Sequence, residues 1–151
     1  MASLRLSNLR ETKRAAESAA KEIASRSRKG AAVLALRGEL GSGKTTFIKF
    51  LARDLGVKSR LSSPTFLIMR GFNINNSKLP YKRFYHIDAY RLKNSKDLLA
   101  LGFKNLIEDE KNIVAIEWAD RIKDVLPQKR IDLDFKHGKT ENERIIKITN
   151  K

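Results

Sequence analysis

The stretch from Gly38 to Phe47, GELGSGKTTF, constrains the fold of this chain more than any other. It holds G-x-x-x-x-G-K-[ST] in full: Gly38, four residues, then Gly43, Lys44 and Thr45. Such a loop turns its backbone N–H groups inward around a phosphate, and Gly38, Gly41 and Gly43 keep side chains out of the way. Lys44 adds positive charge at the outer phosphates, and the Thr45 hydroxyl is suited to ligate Mg2+. The positive end of the next helix points at the same place. A phosphate loop of this type joins a strand to a helix. Upstream, Ala31 to Arg37 is an apolar run of strand length; downstream, Phe47, Phe50, Leu51 and Leu55 fall near helical spacing, and Gly56 is a fitting C-cap.

A partner for this loop lies further along. Ile113 to Ile116 is a continuous apolar run, as a strand buried on both faces requires, and it ends in Glu117. A carboxylate at such a strand tip is the Walker-B type of arrangement, which holds Mg2+ or its water beside the phosphate loop. In open α/β sheets ligands sit at the carboxyl ends of strands, so Glu117 and the loop after Arg37 are expected together, with Trp118 over the same crevice.

Other segments fill in the frame. Ser7 to Arg28 reads as a basic helix with Ala15, Ala16, Ala19, Ala20 and Ile23 on one face; Ser7 or Asn8 caps it, Glu11 completes a capping box, and Arg26, Arg28 and Lys29 place cations at its C-terminal end. Val57 to Ser63 is a polar loop. Ser63 to Phe72 reads as a strand entered at Pro64, with the Ser63 and Thr65 hydroxyls where a γ-phosphate-sensing switch would sit. Asn73 to Pro80 is turn-rich.

In Tyr81 to Arg91, YKRFYHIDAYR, strand alternation sends Phe84, His86, Asp88 and Tyr90 one way and Tyr85, Ile87 and Ala89 the other. A carboxylate among aromatics is costly to bury unless paired, on a metal or orienting water; Arg91 is a candidate partner for Asp88. His86 alone reads as a packing residue. A helix starts at Ser95 and stops at Gly102, a short one runs from Ala119 to Leu126, and Arg130 to Phe135 with Arg144 to Thr149 form an antiparallel hairpin at the sheet edge.

Composition limits the function classes. The 151 residues fit one domain, residues 1–151. There are no cysteines, so disulfides, zinc-thiolate sites and cysteine nucleophiles are excluded. No apolar run is long enough to span a bilayer, and a cytoplasmic chain is expected. Lys and Arg number 32 against 17 Asp and Glu, a net charge of +15, which attracts nucleic acid, acidic proteins or polyphosphate.

The segments GELGSGKTTF, SPTF, YHIDAYRL and IEWADR…LP, in this order, resemble the TsaE family, the small bacterial P-loop ATPases of tRNA threonylcarbamoyladenosine biosynthesis. The combination of the loop with H-x-D-x-Y-R (His86, Asp88, Tyr90, Arg91) and E-W (Glu117, Trp118) is far more specific than the loop alone. The resemblance implies a P-loop three-layer α/β/α fold with a mostly parallel sheet. It implies ATP phosphates held by Lys44 and the backbone of Gly41, Ser42, Gly43, Thr45 and Thr46. Mg2+ would be held by Thr45 and Glu117, and Asp88 would be essential for hydrolysis. Adenine would lie near the start of the chain, where Thr12 is the candidate.

It implies work beside the two subunits of the threonylcarbamoyl transferase, of TsaB and TsaD type, on adenosine 37 of tRNAs reading codons that begin with A. The region before the loop is several residues longer than the family's usual one, and the chain is more basic. A small-molecule kinase would need an arginine-bearing lid, for which no long insertion is visible. A non-catalytic RNA-binding module would have no use for the set Lys44, Thr45, Asp88 and Glu117.

Overall fold

The apolar strand runs read from the sequence come together as the middle of one seven-stranded sheet in a computed structural model that describes residues 1–26, 29–64 and 66–151. The strands are β1 (Ala2–Leu6), β2 (Ala32–Gly38), β3 (Met69–Asn73), β4 (Arg83–Asp88), β5 (Asn112–Glu117), β6 (Ile131–His137) and β7 (Arg144–Asn150), in the order β1-β7-β6-β2-β5-β4-β3. The central strands β6, β2, β5 and β4 are parallel; β7 and β3 flank them antiparallel, and β1 pairs antiparallel with β7 at the outer edge. Every residue of β5 is buried, which is why it reads as an unbroken apolar run.

Helices cover both faces. On one face lie α1 (Leu9–Ser25) and α2 (Lys44–Asp54), packing Ala16, Ile23, Phe47 and Leu51 onto Leu34, Leu36, Phe84 and Leu133. On the other lie α3 (Ser95–Ala100), α4 (Phe103–Glu108) and a 3-10 helix at Ala119–Val125, which pack Leu98, Phe103 and Ile122 onto Val33, Ala35, Ile87, Val114 and Ile116. This is the expected three-layer arrangement. Each fully buried Leu, Ile or Phe in these layers contributes about 1.5–3 kcal/mol.

Local chemistry accounts for the helix ends. The Asn8 side chain accepts from Glu11 N at 3.0 Å, and Glu11 Oε2 reaches back to Ser7 N at 2.6 Å. That is a capping box displaced by one residue at its return bond. The α1 helix ends at Ser25, so Arg26 is its C-cap, bonded to Glu22 and Asn150, and Lys29 lies beyond it. Arg28, expected in that turn, falls outside the described residues.

Three expectations change. The strand expected from Ser63 begins only at Met69, because Pro64 and Leu67 close a turn (Leu67 N to Pro64 O, 2.9 Å) and Ile68 takes a positive φ of 63°. Gly102 does not simply stop a helix: at φ 83° it also starts α4. The β6–β7 hairpin is antiparallel as expected but is not the edge, since β1 pairs with β7 from Ala2↔Ile148 to Leu6↔Arg144.

Candidate functional site

The phosphate loop sits where β2 hands over to α2. Lys44 is buried, with Nζ donating to Gly38 O at 2.7 Å, Glu39 O at 2.9 Å and, more weakly, Ser42 Oγ at 3.4 Å. The ammonium thus holds the loop in shape while its outer side faces the crevice. Burial pulls the Lys44 pKa down from the ordinary lysine value; Glu117, Asp88 and Asp120 oppose that shift. Gly41 and Gly43 adopt φ of 72° and 99°, and a Cβ at either would meet nothing within 4 Å. Their backbone therefore curves around open space, the cradle a phosphate requires. Ser42 is fully buried beneath it.

The neighbouring strands bring the acids. In the parallel register Asp88 lies beside Glu117 at the carboxyl ends of β4 and β5. Both carboxylates are nearly inaccessible, at 4% and 3% exposure. Thr45 Oγ1 donates to Glu117 Oε1 at 2.5 Å, so the first turn of α2 is tied to the tip of β5. Asp88 Oδ1 accepts from Tyr90 N at 3.0 Å, and Oδ2 from Ser63 Oγ at 3.4 Å. A pocket of about 180 Å3 brings Gly41, Lys44, Thr45, Asp88, Glu117 and Trp118 to one opening.

Two carboxylates and a hydroxyl beside an ammonium and a glycine cradle match the donor set for a polyphosphate with a hard, oxygen-seeking cation such as Mg2+. Trp118 is held at φ 57°, and its ring lies 4.3 Å from Lys44 Nζ and 5.0 Å from the Tyr90 ring.

A second cleft, of about 470 Å3, continues from the loop to the start of α1. Asn8, Thr12, Gly41, Gly43, Thr46 and Arg144 line it. Gly41 is common to both openings, so a ligand with phosphates at Lys44 has room to extend toward Thr12.

Two residues depart from their sequence reading. Arg91 does not pair with Asp88; its guanidinium lies 4.3 Å from the Phe66 ring centroid. His86 is more than a packing residue. It is fully buried, its Nε2 lies 2.8 Å from Glu117 Oε2, and its Nδ1 has no partner among the described residues. The signal was its position two residues before Asp88 on the same strand face; what was not visible is the diagonal reach to Glu117 on β5. Of the switch-like segment, Ser63 reaches Asp88, Phe66 is 82% exposed, and Thr65 falls outside the described residues.

The family model described as "Threonylcarbamoyl adenosine biosynthesis protein TsaE" matches residues 7–146. A Bacillus subtilis protein named tRNA threonylcarbamoyladenosine biosynthesis protein TsaE is 37% identical over 117 residues, 78% of this chain and 68% of that protein. A Rickettsia felis protein of the same name is 31% identical over 144 residues, 95% of this chain and 77% of its own. The crystal structure of YdiB from Bacillus subtilis superposes with a TM-score of 0.75 at 31% identity, covering 99% of this chain and 84% of that one.

Proposed function

The chain belongs to the TsaE family of threonylcarbamoyl adenosine biosynthesis proteins, and we propose that within it this chain is a Mg2+-dependent ATP hydrolase. It supports the complex that places a threonylcarbamoyl group on adenosine 37 of tRNAs reading codons that begin with A. The observation that carries this reading is the convergence of Lys44, Thr45, Asp88 and Glu117 on one pocket at the glycine cradle. The sheet that builds the pocket runs from Ala2 to Asn150, which supports one P-loop ATPase domain.

In this reading the backbone of Gly41 to Thr46 and the Lys44 ammonium bind the phosphates. The nucleoside extends along the cleft to Thr12. Thr45 and Glu117 would hold Mg2+, whose positive charge would offset that of the phosphates. Asp88, anchored by Tyr90 N and Ser63 Oγ, orients the attacking water and accepts its proton.

No arginine lines the 180 Å3 pocket among the described residues. Charge building up in the transition state then lacks one of its usual stabilisers, and hydrolysis by the chain alone is slow. The partners are the two transferase subunits of TsaB and TsaD type, working in the cytoplasm with the tRNAs.

The test is ATP hydrolysis by the pure protein, then with both transferase subunits added, with Asp88→Ala as control. Stimulation that disappears in the variant supports the reading. A rate indifferent to both partners and substitution would refute it.

A further inference from the structure

A groove larger than either cleft at the loop, about 760 Å3, opens at the far end of α2. Lys49, Arg53, Lys58, Arg60 and Asn75 surround it. Lys49 and Arg53 are four residues apart, so they project from one face of α2. Gly56, at φ 98°, turns the chain out of the helix, and Asn75 N donates to Gly56 O at 2.8 Å, which pins that turn. Val57 and Leu61 are buried and anchor the segment that follows, leaving Lys58, Ser59 and Arg60 facing outward between them.

The four cations are exposed, and none forms an ion pair or side-chain hydrogen bond among the described residues. No carboxylate lines the groove. Like charges four apart on a helix cost stability. The helix C-terminus offsets that cost for Arg53 but gives no reason for Lys58 and Arg60, which lie past it. Converging uncompensated cations hold a counterion atmosphere that a polyanion releases on binding. Arg70 on β3 reaches the same segment, with Nη1 3.4 Å from Ser62 Oγ.

We propose that this groove binds the phosphodiester backbone of a folded RNA, and, resting on the proposed function, that the RNA is tRNA. An acidic protein is the less suitable occupant. The anchors of protein interfaces are chiefly Trp, Tyr and Arg seated in desolvated pockets; no aromatic side chain lines this groove, and its apolar residues, Val57 and Leu61, are buried. The exposed Leu40, Phe66 and Leu67 lie outside the groove.

The test measures binding of labelled, folded tRNA to the intact chain by fluorescence anisotropy across a salt series, with no other protein present. One variant combines Lys49→Gln, Arg53→Gln, Lys58→Gln and Arg60→Gln. A charge-matched control combines Lys93→Gln, Lys96→Gln, Lys104→Gln and Lys123→Gln, exposed positions in the region of α3, α4 and the 3-10 helix on the opposite side of the sheet. The groove variant is expected to bind at least about tenfold more weakly near 0.1 M salt, with the slope of log affinity against log salt reduced by about 3. The control is expected to change little.

Equal losses in both variants, or none in either, would overturn the groove assignment. So would a groove variant that keeps its tRNA affinity and loses binding to the transferase subunits, since the occupant is then a protein. ATP binding measured on the same samples separates the two readings. A groove variant that binds ATP normally and has lost tRNA supports the groove. Wild-type protein that binds tRNA through the groove but no ATP refutes the hydrolase reading alone.

Discussion

His86 and Glu117 meet in the interior of the protein, Nε2 to Oε2 at 2.8 Å, while the other oxygen of Glu117 takes the Thr45 hydroxyl at 2.5 Å. The carboxylate is therefore held at both ends, which would fix its orientation toward the proposed cation. Partners of this kind typically change metal affinity by about 10- to 100-fold when removed. His86→Leu is expected to weaken Mg2+-dependent ATP binding at least about tenfold while leaving metal-free ATP binding nearly unchanged. His86→Gln, whose amide nitrogen reaches a similar place, should restore part of the loss. Titration calorimetry with and without Mg2+ reads both; equal losses with and without metal would rule out the orienting role.

Lys44 has its ammonium on two loop carbonyls and one hydroxyl, next to the cradle. Lys44→Ala removes the charge proposed to meet the phosphates. ATP affinity should fall about 10- to 100-fold, the scale of one charge-assisted hydrogen bond. Equilibrium binding of a fluorescent ATP analogue measures this, and unchanged affinity contradicts the phosphate role.

Asp88 lies beside Glu117 but is held by different donors. Asp88→Ala should lower the rate of hydrolysis about 10²- to 10⁴-fold, the usual contribution of a positioned base, with ATP binding largely kept. Single-turnover hydrolysis at saturating ATP separates the two, and a wild-type rate removes Asp88 from the chemistry.

Two loop glycines should differ in what they tolerate. A Cβ at Gly38 stands 2.4 Å from Phe135 O, and its φ is 139°. Gly38→Ala is expected to cost about 2 kcal/mol or more in urea unfolding, from overpacking and backbone strain together. At Gly41 only the backbone preference opposes a side chain, because nothing lies within 4 Å. Gly41→Ala should cost about 1–2 kcal/mol and act chiefly on nucleotide affinity. Equal stability losses would contradict this difference.

Asp132 anchors the β6 side of the sheet. Burial alone would push its carboxyl up, but hydrogen bonds from Arg130, Arg37 and Lys151 outweigh that and hold it below the usual carboxylate range. Its contribution to stability is thus present above the unfolded-chain value of 3.8 and is lost as pH falls through the lower folded value. Asp132→Asn should cost roughly 2–3 kcal/mol at pH 7, with the difference from wild type shrinking below about pH 4. Urea melts at both ends of that range test it; a constant difference would show that charge is not its cause.

The phosphate loop, the buried strand ending in Glu117 and the alternation that puts Asp88 on one face were all legible from the linear chain. Each rests on short-range rules: glycines that free a turn, an apolar run, a period of two. What required the folded chain is everything that joins distant segments. β1 was not anticipated: Ala2, Leu4 and Leu6 alternate with Ser3 and Arg5, but five residues are a short run for a period of two, and the partner that makes them a strand, β7, lies at the opposite end of the chain.

The strand expected from Ser63 was shortened by a turn around Pro64, and Arg91 found Phe66 rather than Asp88. His86 could be placed on the correct face of its strand, but its bond to Glu117 depends on β4 pairing with β5 in one register. The basic groove likewise exists only because Gly56 turns the chain after α2 and packs it against Asn75. Local periodicity specifies elements and the faces they bury; strand register and the packing of turns decide which polar groups then meet.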